Sequence, residues 1–135
     1  MRIVITGGAG FLGSRLARKL LERGTLTDAR GQRREIRSLV LLDVVPPALS
    51  DTRVTAIAGD LADPAVIASA LTDDTDSVFH LAAVVSGQAE ADFDIGMRVN
   101  LDATRALLER CRRLPAAGPM VPGLPQRLPV AGRPG

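Results

Sequence analysis

Apolar residues follow two different periods along the chain, and the alternation between them predicts an α/β fold. Short, nearly continuous apolar runs are typical of strands buried on both faces of a parallel sheet, and recurrence every three or four positions indicates one face of a helix. We predict strands over residues 2–6, 36–45, 53–58 and 77–85, and helices over residues 11–23, from Pro64 onward, and over 93–114. This order predicts a doubly wound parallel sheet with right-handed crossovers and the strand order 3-2-1-4.

The two longer helices each carry one apolar stripe. In the first helix the stripe consists of Leu12, Leu16, Ala17, Leu20 and Leu21. In the last helix it consists of Met97, Leu101, Thr104, Leu108 and Cys111. Residues 25–35, between the first helix and the second strand, are polar and rich in arginine, so we expect a long loop there.

The character of the chain changes at Leu114. Residues 114–135 contain six of the nine prolines, together with four glycines and no acidic residue. Proline at this density is incompatible with a helix or a central strand. We therefore divide the chain into a folded domain over residues 1–113 and a disordered Pro/Gly-rich tail over residues 114–135.

The length, charge and cysteine content of the chain argue against several classes of function. A chain of 135 residues can bury the core of one domain, and a net charge of +2 with no basic cluster among aromatic residues gives no support for nucleic-acid binding. The single cysteine, Cys111, cannot form an internal disulfide, and no apolar run reaches membrane-spanning length. We expect a cytoplasmic protein that binds no membrane and no metal.

Four glycines lie between the first strand and the first helix, in the sequence TGGAGFLG. A Cβ atom at Gly7, Gly8, Gly10 or Gly13 would stand between the peptide N–H groups and a bound phosphate. Because the helix amino terminus also offers free N–H donors and the positive end of its dipole, this turn predicts a dinucleotide diphosphate site. An ordinary glycine-rich turn is the alternative.

Polar residues at the ends of the later elements are further candidates. Asp43 ends the second strand, where a carboxylate would accept hydrogen bonds from an adenosine ribose and repel a 2′-phosphate, which favours NAD over NADP. Asp60 follows the third strand and fits either an adenine contact or a turn. We interpret His80 as a buried, hydrogen-bonded histidine, and Asn100 as either a solvent-facing residue or one near the cofactor.

The segments TGGAGFLG, LLD, GDL, HLAA and VNLDATRALLE, in this order, resemble the extended short-chain dehydrogenase/reductase family, the NAD-dependent epimerases and dehydratases. Residues 80–94 and 98–109 look most like its hydroxy-acid dehydrogenases, which act on sugar acids such as erythronate. The resemblance implies a Rossmann fold with NAD as cofactor and a small-molecule sugar acid as substrate, and a homo-oligomer is possible. It covers residues 1 to about 114.

The resemblance also assigns roles to individual residues. It implies a cofactor site in which the diphosphate lies on the glycine turn, Asp43 binds the ribose, Asp60 and Leu61 meet the adenine, and Asn100 supports the active-site strand. The remaining implied contacts are Gly7, Gly10, Phe11, Leu12 and Gly13 at the diphosphate, and Leu81, Ala82, Ala83 and Val85 along the cofactor.

The catalytic pair of this family, Tyr-x-x-x-Lys, is absent from the chain, which has no tyrosine and has Lys19 as its one lysine. We therefore expect the NAD-binding N-terminal part of an enzyme, inactive alone, whose reading frame breaks near residue 114 and whose fourth strand is left as an open sheet edge. Two alternatives are a fragment of a nucleotide-sugar epimerase or dehydratase and a noncatalytic NAD-binding module.

Overall fold

The computed structural model describes residues 1–28, 30–82 and 93–114, the first eight of the last range by their backbone alone. The elements in chain order are β1 (Arg2–Thr6), α1 (Phe11–Arg23), β2 (Thr25–Thr27), β3 (Arg33–Glu35), β4 (Ser38–Asp43), β5 (Val54–Ala58), α2 (Pro64–Ala70), β6 (Thr75–His80) and α3 (Phe93–Arg112).

A four-stranded parallel sheet in the order β5-β4-β1-β6 forms the centre of the fold. These strands are the third, second, first and fourth of the sequence prediction, so the predicted order 3-2-1-4 is confirmed. Within the described part of the chain, β6 is one edge of this sheet and β5 is the other. The carboxyl ends of β1, β4 and β6 lie side by side, since Thr6 is paired with Leu42 on one side and His80 on the other.

Successive side chains along each strand point to opposite faces of the sheet, and they form two hydrophobic cores, one on each face. Ile3 and Ile5 of β1 point toward α1, and Val4 between them points toward α2 and α3. The core on the α1 side also contains Ala17, Leu20, Leu26, Ile36, Leu39, Leu41 and Phe79. The other core contains Val40, Leu42, Ile67, Ala70, Leu71, Val78, Leu107, Cys111 and Leu114.

The segment between α1 and β4 differs from its prediction as a polar loop. Residues 25–27 and 33–35 pair as an antiparallel hairpin, β2–β3, whose turn is held by the carboxylate of Asp28, which accepts from the N–H groups of Arg30 and Gln32. This segment forms regular structure because the side chain of Leu26 is buried in the core beside α1. One apolar residue among polar ones is too weak a pattern to predict a strand.

The limits of two strands were also predicted wrongly. The strand predicted over residues 36–45 is limited to Ser38–Asp43, and Val44 and Val45 beyond it are exposed. The strand predicted over residues 77–85 begins at Thr75 and ends at His80; residues 83–85 lie outside the described residues. The predicted tail covers residues 114–135, but Leu114 is buried in the core on the α2 side and belongs to the folded part. Residues 115–135 lie outside the described residues, so their disorder stays a prediction.

The buried face of α3 is rotated relative to the predicted stripe. Ala103, Leu107 and Cys111 are buried, whereas Leu101 is 66% exposed and Leu108 is only partly buried. Leu107 and Leu108 are neighbours of the same type, so periodicity alone could not choose between the two faces. Leu107 is the one that packs fully into the core between α2 and the sheet, and this contact determines which face of α3 is buried.

Candidate functional site

The glycine turn connects the carboxyl end of β1 to α1 and is fixed to the neighbouring strand. The N–H groups of Gly7 and Gly8 donate to the carbonyl oxygen of Leu42 at 2.8 and 3.3 Å, and Gly10 N–H donates to the carbonyl oxygen of Gly7 at 3.1 Å. These bonds fix the turn at the carboxyl ends of β1 and β4. The strand order reverses between β1 and the neighbouring β6, and ligands of open α/β sheets bind at such a reversal.

Most of the glycines serve the packing of the turn itself, which corrects the expectation that all four leave room for a ligand. A Cβ on Gly13 would lie 2.1 Å from the carbonyl oxygen of Gly7, and one on Gly8 would lie 2.8 Å from Leu41 Cβ. Gly7 has a φ of +75°, and its Cβ would lie 2.9 Å from the backbone nitrogen of Ala82. At these three positions a side chain would separate α1 or the turn from the sheet.

Gly10 differs from the other three glycines. Its φ of −74° suits any residue, and a Cβ there would approach only the carbonyl oxygen of Gly7, at 3.3 Å. Gly10 is exposed, so its missing side chain leaves open space on the outer side of the turn. Of the four glycines, Gly10 is therefore the one that protein packing explains least and a bound ligand explains best.

The amino terminus of α1 presents open hydrogen-bond donors beside Gly10. The capping residue is Gly10, which has no side chain to accept from them. In the described part of the chain, no acceptor bonds the backbone N–H groups of Phe11, Leu12 and Gly13. Three unbonded N–H groups and the positive end of the helix dipole make this terminus a cradle for an anion.

The first turn of α1 also corrects the predicted apolar stripe of this helix. Leu12 is 68% exposed and Phe11 is 76% exposed, so Leu12 does not belong to the core. Gly13, Ala17 and Leu20 form the buried face instead, because α1 approaches the turn closely at Gly13. The guanidinium of Arg15 lies 5.3 Å from the centre of the Phe11 ring. Two large apolar side chains therefore stand at the rim of the anion cradle.

Asp43 joins the glycine turn to the end of β4. Its Oδ2 accepts from the N–H of Ala9 at 2.9 Å, and its Oδ1 accepts from the N–H of Val44 at 2.7 Å. The carboxylate is thus adjacent to the turn, as the sequence predicted, and it also holds the turn in place. Each oxygen has a further lone pair, so the group can still accept hydrogen bonds from a ligand hydroxyl.

Asp60 takes part in a turn after β5. Its Oδ1 accepts from the N–H of Ala62 at 2.9 Å, and its carbonyl oxygen accepts from the N–H of Asp63 at 3.0 Å. Of the two interpretations left open by the sequence, the turn is observed, and the adenine contact stays a prediction. Leu61 packs partly against the core on the α2 side. Gly59 N–H donates to the carbonyl oxygen of Asp43, which brings this turn to the same edge of the sheet as the glycines.

His80 is a buried and hydrogen-bonded histidine, as the sequence predicted. The residue is 4% exposed, its Nδ1 lies 2.6 Å from Thr6 Oγ1, and its Nε2 lies 3.0 Å from Thr104 Oγ1. Burial lowers the pKa of His80, so the ring is neutral at physiological pH. Sequence reasoning missed Thr6, whose Oγ1 also accepts from the N–H groups of Leu81 and Ala82 at 3.1 and 3.2 Å. A polar residue that ends a buried strand was the available signal.

The other predicted site residues are placed only in part. Leu81 and Ala82 follow β6 directly and lie against Gly7. Ala83 and Val85 lie outside the described residues, and Asn100 is described only as a backbone position on α3. Among the side chains that the structure describes, no group of three acidic, histidine or cysteine residues could hold a metal ion. None of the described helices is long and apolar enough to cross a membrane.

The chain is similar in sequence to known dehydrogenases. Over 115 residues, the chain is 66% identical to D-erythronate dehydrogenase from Cupriavidus necator and 44% identical to D-erythronate dehydrogenase from Haemophilus influenzae. Each alignment covers 84% of the chain but only 35% and 34% of these relatives, so the chain spans about a third of their length.

Solved structures show the same fold. A nucleoside-diphosphate-sugar epimerase from Agrobacterium tumefaciens matches with a TM-score of 0.68 and 40% identity, covering 83% of the chain and 32% of that structure. A dTDP-glucose 4,6-dehydratase from Streptomyces venezuelae, solved with NAD bound, matches with a TM-score of 0.72 and 25% identity, covering 89% of the chain and 38% of that structure. The family model for the NAD dependent epimerase/dehydratase family matches residues 3–120. The chain therefore belongs to the NAD-dependent epimerase/dehydratase family.

Proposed function

We propose that this chain binds NAD, with the diphosphate on the open amides of Phe11, Leu12 and Gly13. The single observation that carries the proposal is the combination of these three unbonded N–H groups with the bare outer side of Gly10. A dinucleotide diphosphate matches this cradle because it is anionic and has several acceptor oxygens. The adenosine ribose then lies toward Asp43, and the rest of the cofactor follows the residues after β6, namely Leu81, Ala82, Ala83 and Val85.

We further propose that the complete protein is a dehydrogenase of a sugar acid such as erythronate. The support is the 66% and 44% identity to two D-erythronate dehydrogenases. When bound, NAD supplies the hydride acceptor for oxidation of a secondary alcohol. In this proposal the residues of this chain bind and orient the cofactor, and the chain has no tyrosine among its 135 residues to serve as the proton-transfer group that the family resemblance implies. We therefore expect no NADH formation from erythronate by the chain alone, and robust turnover would refute this expectation.

A fragment of a nucleotide-sugar epimerase or dehydratase is a second candidate. The 40% identity to a structure described as a nucleoside-diphosphate-sugar epimerase favours it. Both candidates use the same NAD site, so they differ in the substrate of the complete protein. A noncatalytic NAD-binding module is a third possibility, favoured by the lack of tyrosine in the chain. A nucleotide sugar that binds the NAD-loaded chain, where erythronate does not, would favour the second candidate.

The NAD site is tested by a pair of glycine substitutions that separate binding from stability. Gly10→Ala places a methyl group on the outer side of the turn, where the turn needs to yield by only a few tenths of an ångström. We expect little change in the free energy of unfolding but at least about tenfold weaker NAD binding by calorimetry, equivalent to losing one charge-assisted hydrogen bond.

Gly31→Ala is the matched control. Gly31 lies in the β2–β3 turn, beyond the far end of α1, with a φ of +78° and no atom within 4 Å of an added Cβ. The left-handed conformation should cost the alanine variant about 1–2 kcal/mol of stability without affecting NAD. If the unsubstituted chain binds no NAD, or if Gly10→Ala binds it with unchanged affinity, the proposed site is wrong.

Cofactor choice is tested at Asp43. We propose that its carboxylate repels the 2′-phosphate of NADP, because two negative charges about 4 Å apart cost about 1–4 kcal/mol in an exposed site. Asp43→Asn keeps an oxygen that can accept from the N–H of Ala9, and it should lower the preference for NAD over NADP by about tenfold. Asp51→Asn, in the connection that precedes β5, is the control and should leave this preference unchanged. An unaltered preference in Asp43→Asn would exclude the role.

A further inference from the structure

A continuous chain of hydrogen bonds connects α3 to the residues that follow β6. It runs from Thr104 through the ring of His80 to the hydroxyl of Thr6, and from there to the N–H groups of Leu81 and Ala82. Thr6 is fully buried and His80 is 4% exposed, so the bond between them is closed to solvent, whereas the bonds at Thr104, Leu81 and Ala82 are partly buried. The chain joins three elements, β1, β6 and α3, that are far apart in sequence.

The hydrogen-bonding capacity of the Thr6 hydroxyl fixes the direction of every bond in this chain. A hydroxyl has one proton and two acceptor lone pairs. The N–H groups of Leu81 and Ala82 can only donate, and both lie within hydrogen-bond distance of Thr6 Oγ1, although the Leu81 N–H is shared with the Thr6 carbonyl oxygen. Together they face both lone pairs of Thr6 Oγ1. The hydroxyl proton must therefore point to His80 Nδ1, which has to be unprotonated. The ring, being neutral, has its proton on Nε2 and donates it to Thr104 Oγ1.

The far end of this chain lies directly against the glycine turn. A Cβ on Gly7 would be 2.9 Å from both the Ala82 nitrogen and the Leu81 carbonyl carbon, so the backbone after β6 and the turn are in close contact. The orientation of the Leu81–Ala82 backbone thus limits the position of Gly7. Because Gly7 accepts the N–H of Gly10 through its carbonyl, the same contact limits the position of the anion cradle.

We propose that His80, in the neutral form protonated on Nε2, is a positioning residue that couples α3 to the dinucleotide site through Thr6. The hydrogen bonds of its imidazole go to Thr6 and Thr104 and not to the amides of the cradle. It acts by presenting an acceptor to the Thr6 hydroxyl, which leaves both lone pairs of that hydroxyl for the backbone after β6. Thr104 is the fixed point on α3. The inference rests on the proposed function, since it identifies what holds the NAD site in shape.

The protonation state can be measured directly because His80 is the only histidine of the chain. With ¹⁵N-labelled histidine, a long-range ¹H–¹⁵N spectrum of the full 135-residue chain near pH 7 contains the signals of one ring. We expect a protonated Nε2 and an unprotonated Nδ1, without NAD present. A proton on Nδ1, or rapid averaging between the two neutral forms, would overturn the proposal whatever the outcome of the NAD titration.

The coupling is tested at Thr104, on the opposite end of the chain from the cofactor. Thr104→Val keeps the side-chain shape but removes the acceptor for His80 Nε2–H, and Thr104→Ser keeps the hydroxyl as the matched control. We expect Thr104→Val to bind NAD about two- to tenfold more weakly, the effect of one neutral hydrogen bond, and Thr104→Ser to bind it as the unsubstituted chain does. Calorimetry is carried out where unfolding titrations show each variant to be folded.

The two variants separate a positioning role from a merely structural one. If Thr104→Val lowers stability while NAD affinity and the His80 spectrum stay unchanged, the coupling is refuted and the proposed function stands. If the unsubstituted chain binds no NAD, the proposed function and the coupling both fail, and the spectrum still decides the protonation state. Should Thr104→Val not fold, the His80 spectrum of the unsubstituted chain remains the deciding measurement.

Discussion

Thr6→Val should destabilise the fold far more than the loss of one hydroxyl from an exposed site. The hydroxyl of Thr6 makes three hydrogen bonds, to His80 Nδ1 at 2.6 Å and to the N–H groups of Leu81 and Ala82 at 3.1 and 3.2 Å. Valine has nearly the same shape but can neither donate nor accept. The substitution therefore leaves polar groups without partners at one buried and one partly buried position.

The magnitude follows from which groups lose every partner. Leu81 N–H also donates to the Thr6 carbonyl oxygen at 3.1 Å, a bond that valine keeps. Ala82 N–H and His80 Nδ1 lose the only partner that the described residues offer them. Each orphaned group costs about 1–3 kcal/mol, so we expect the two together to cost about 2–6 kcal/mol. A domain of this size has about 5–15 kcal/mol in total, which makes the loss a large fraction.

Thr6→Ser is the control, because it keeps the hydroxyl and removes one buried methyl group at a cost of about 1 kcal/mol. The chain has no tryptophan and no tyrosine, so urea unfolding is best followed by far-ultraviolet circular dichroism. The expected order of stability is unsubstituted, then Thr6→Ser, then Thr6→Val. If Thr6→Val is as stable as Thr6→Ser, the hydroxyl is not the centre of a buried network, and the assignment of the His80 proton loses its basis.

Three further predictions concern titration, thiol reactivity and helix capping. Burial lowers the pKa of His80 below its usual 6.5, so the contribution of the neutral ring to stability is complete above pH 6.5 and is lost as the pH falls. Between pH 7 and 5, the free energy of unfolding should fall by at most about 1.4 kcal/mol per pH unit. His80→Gln should remove this dependence on pH. Burial raises the pKa of the Cys111 thiol to about 11, so iodoacetamide at pH 8 should label the native chain at least about a hundredfold more slowly than the urea-unfolded chain, and equal rates would contradict the burial of this thiol. Asp63→Ala removes the carboxylate that accepts from Ala65 N–H at the start of α2 and should cost about 1 kcal/mol in the same unfolding assay, whereas Asp63→Asn should cost less than half of that.

The sequence by itself determined the elements whose signals are local. The β1–turn–α1 unit, the start of α2 at Pro64 and the strand order all agree with their predictions, because a continuous apolar run, a proline at the first position of a helix and a glycine turn are each read from a few neighbouring residues. Right-handed crossovers then leave few ways to assemble such units. The position of Asp43 beside the turn was predictable for the same reason, since it ends the strand paired with β1.

Only the tertiary structure decided the features that depend on partners distant in the chain. The face of α3 that is buried depends on whether Leu107 or Leu108 packs against the sheet. Residues 25–35 form the β2–β3 hairpin because the core beside α1 has room for the side chain of Leu26. Thr6 and His80 are 74 residues apart, and Thr104 is 24 residues beyond His80. A local sequence pattern cannot identify partners so far apart in the chain, because these residues meet only when the sheet and α3 pack together.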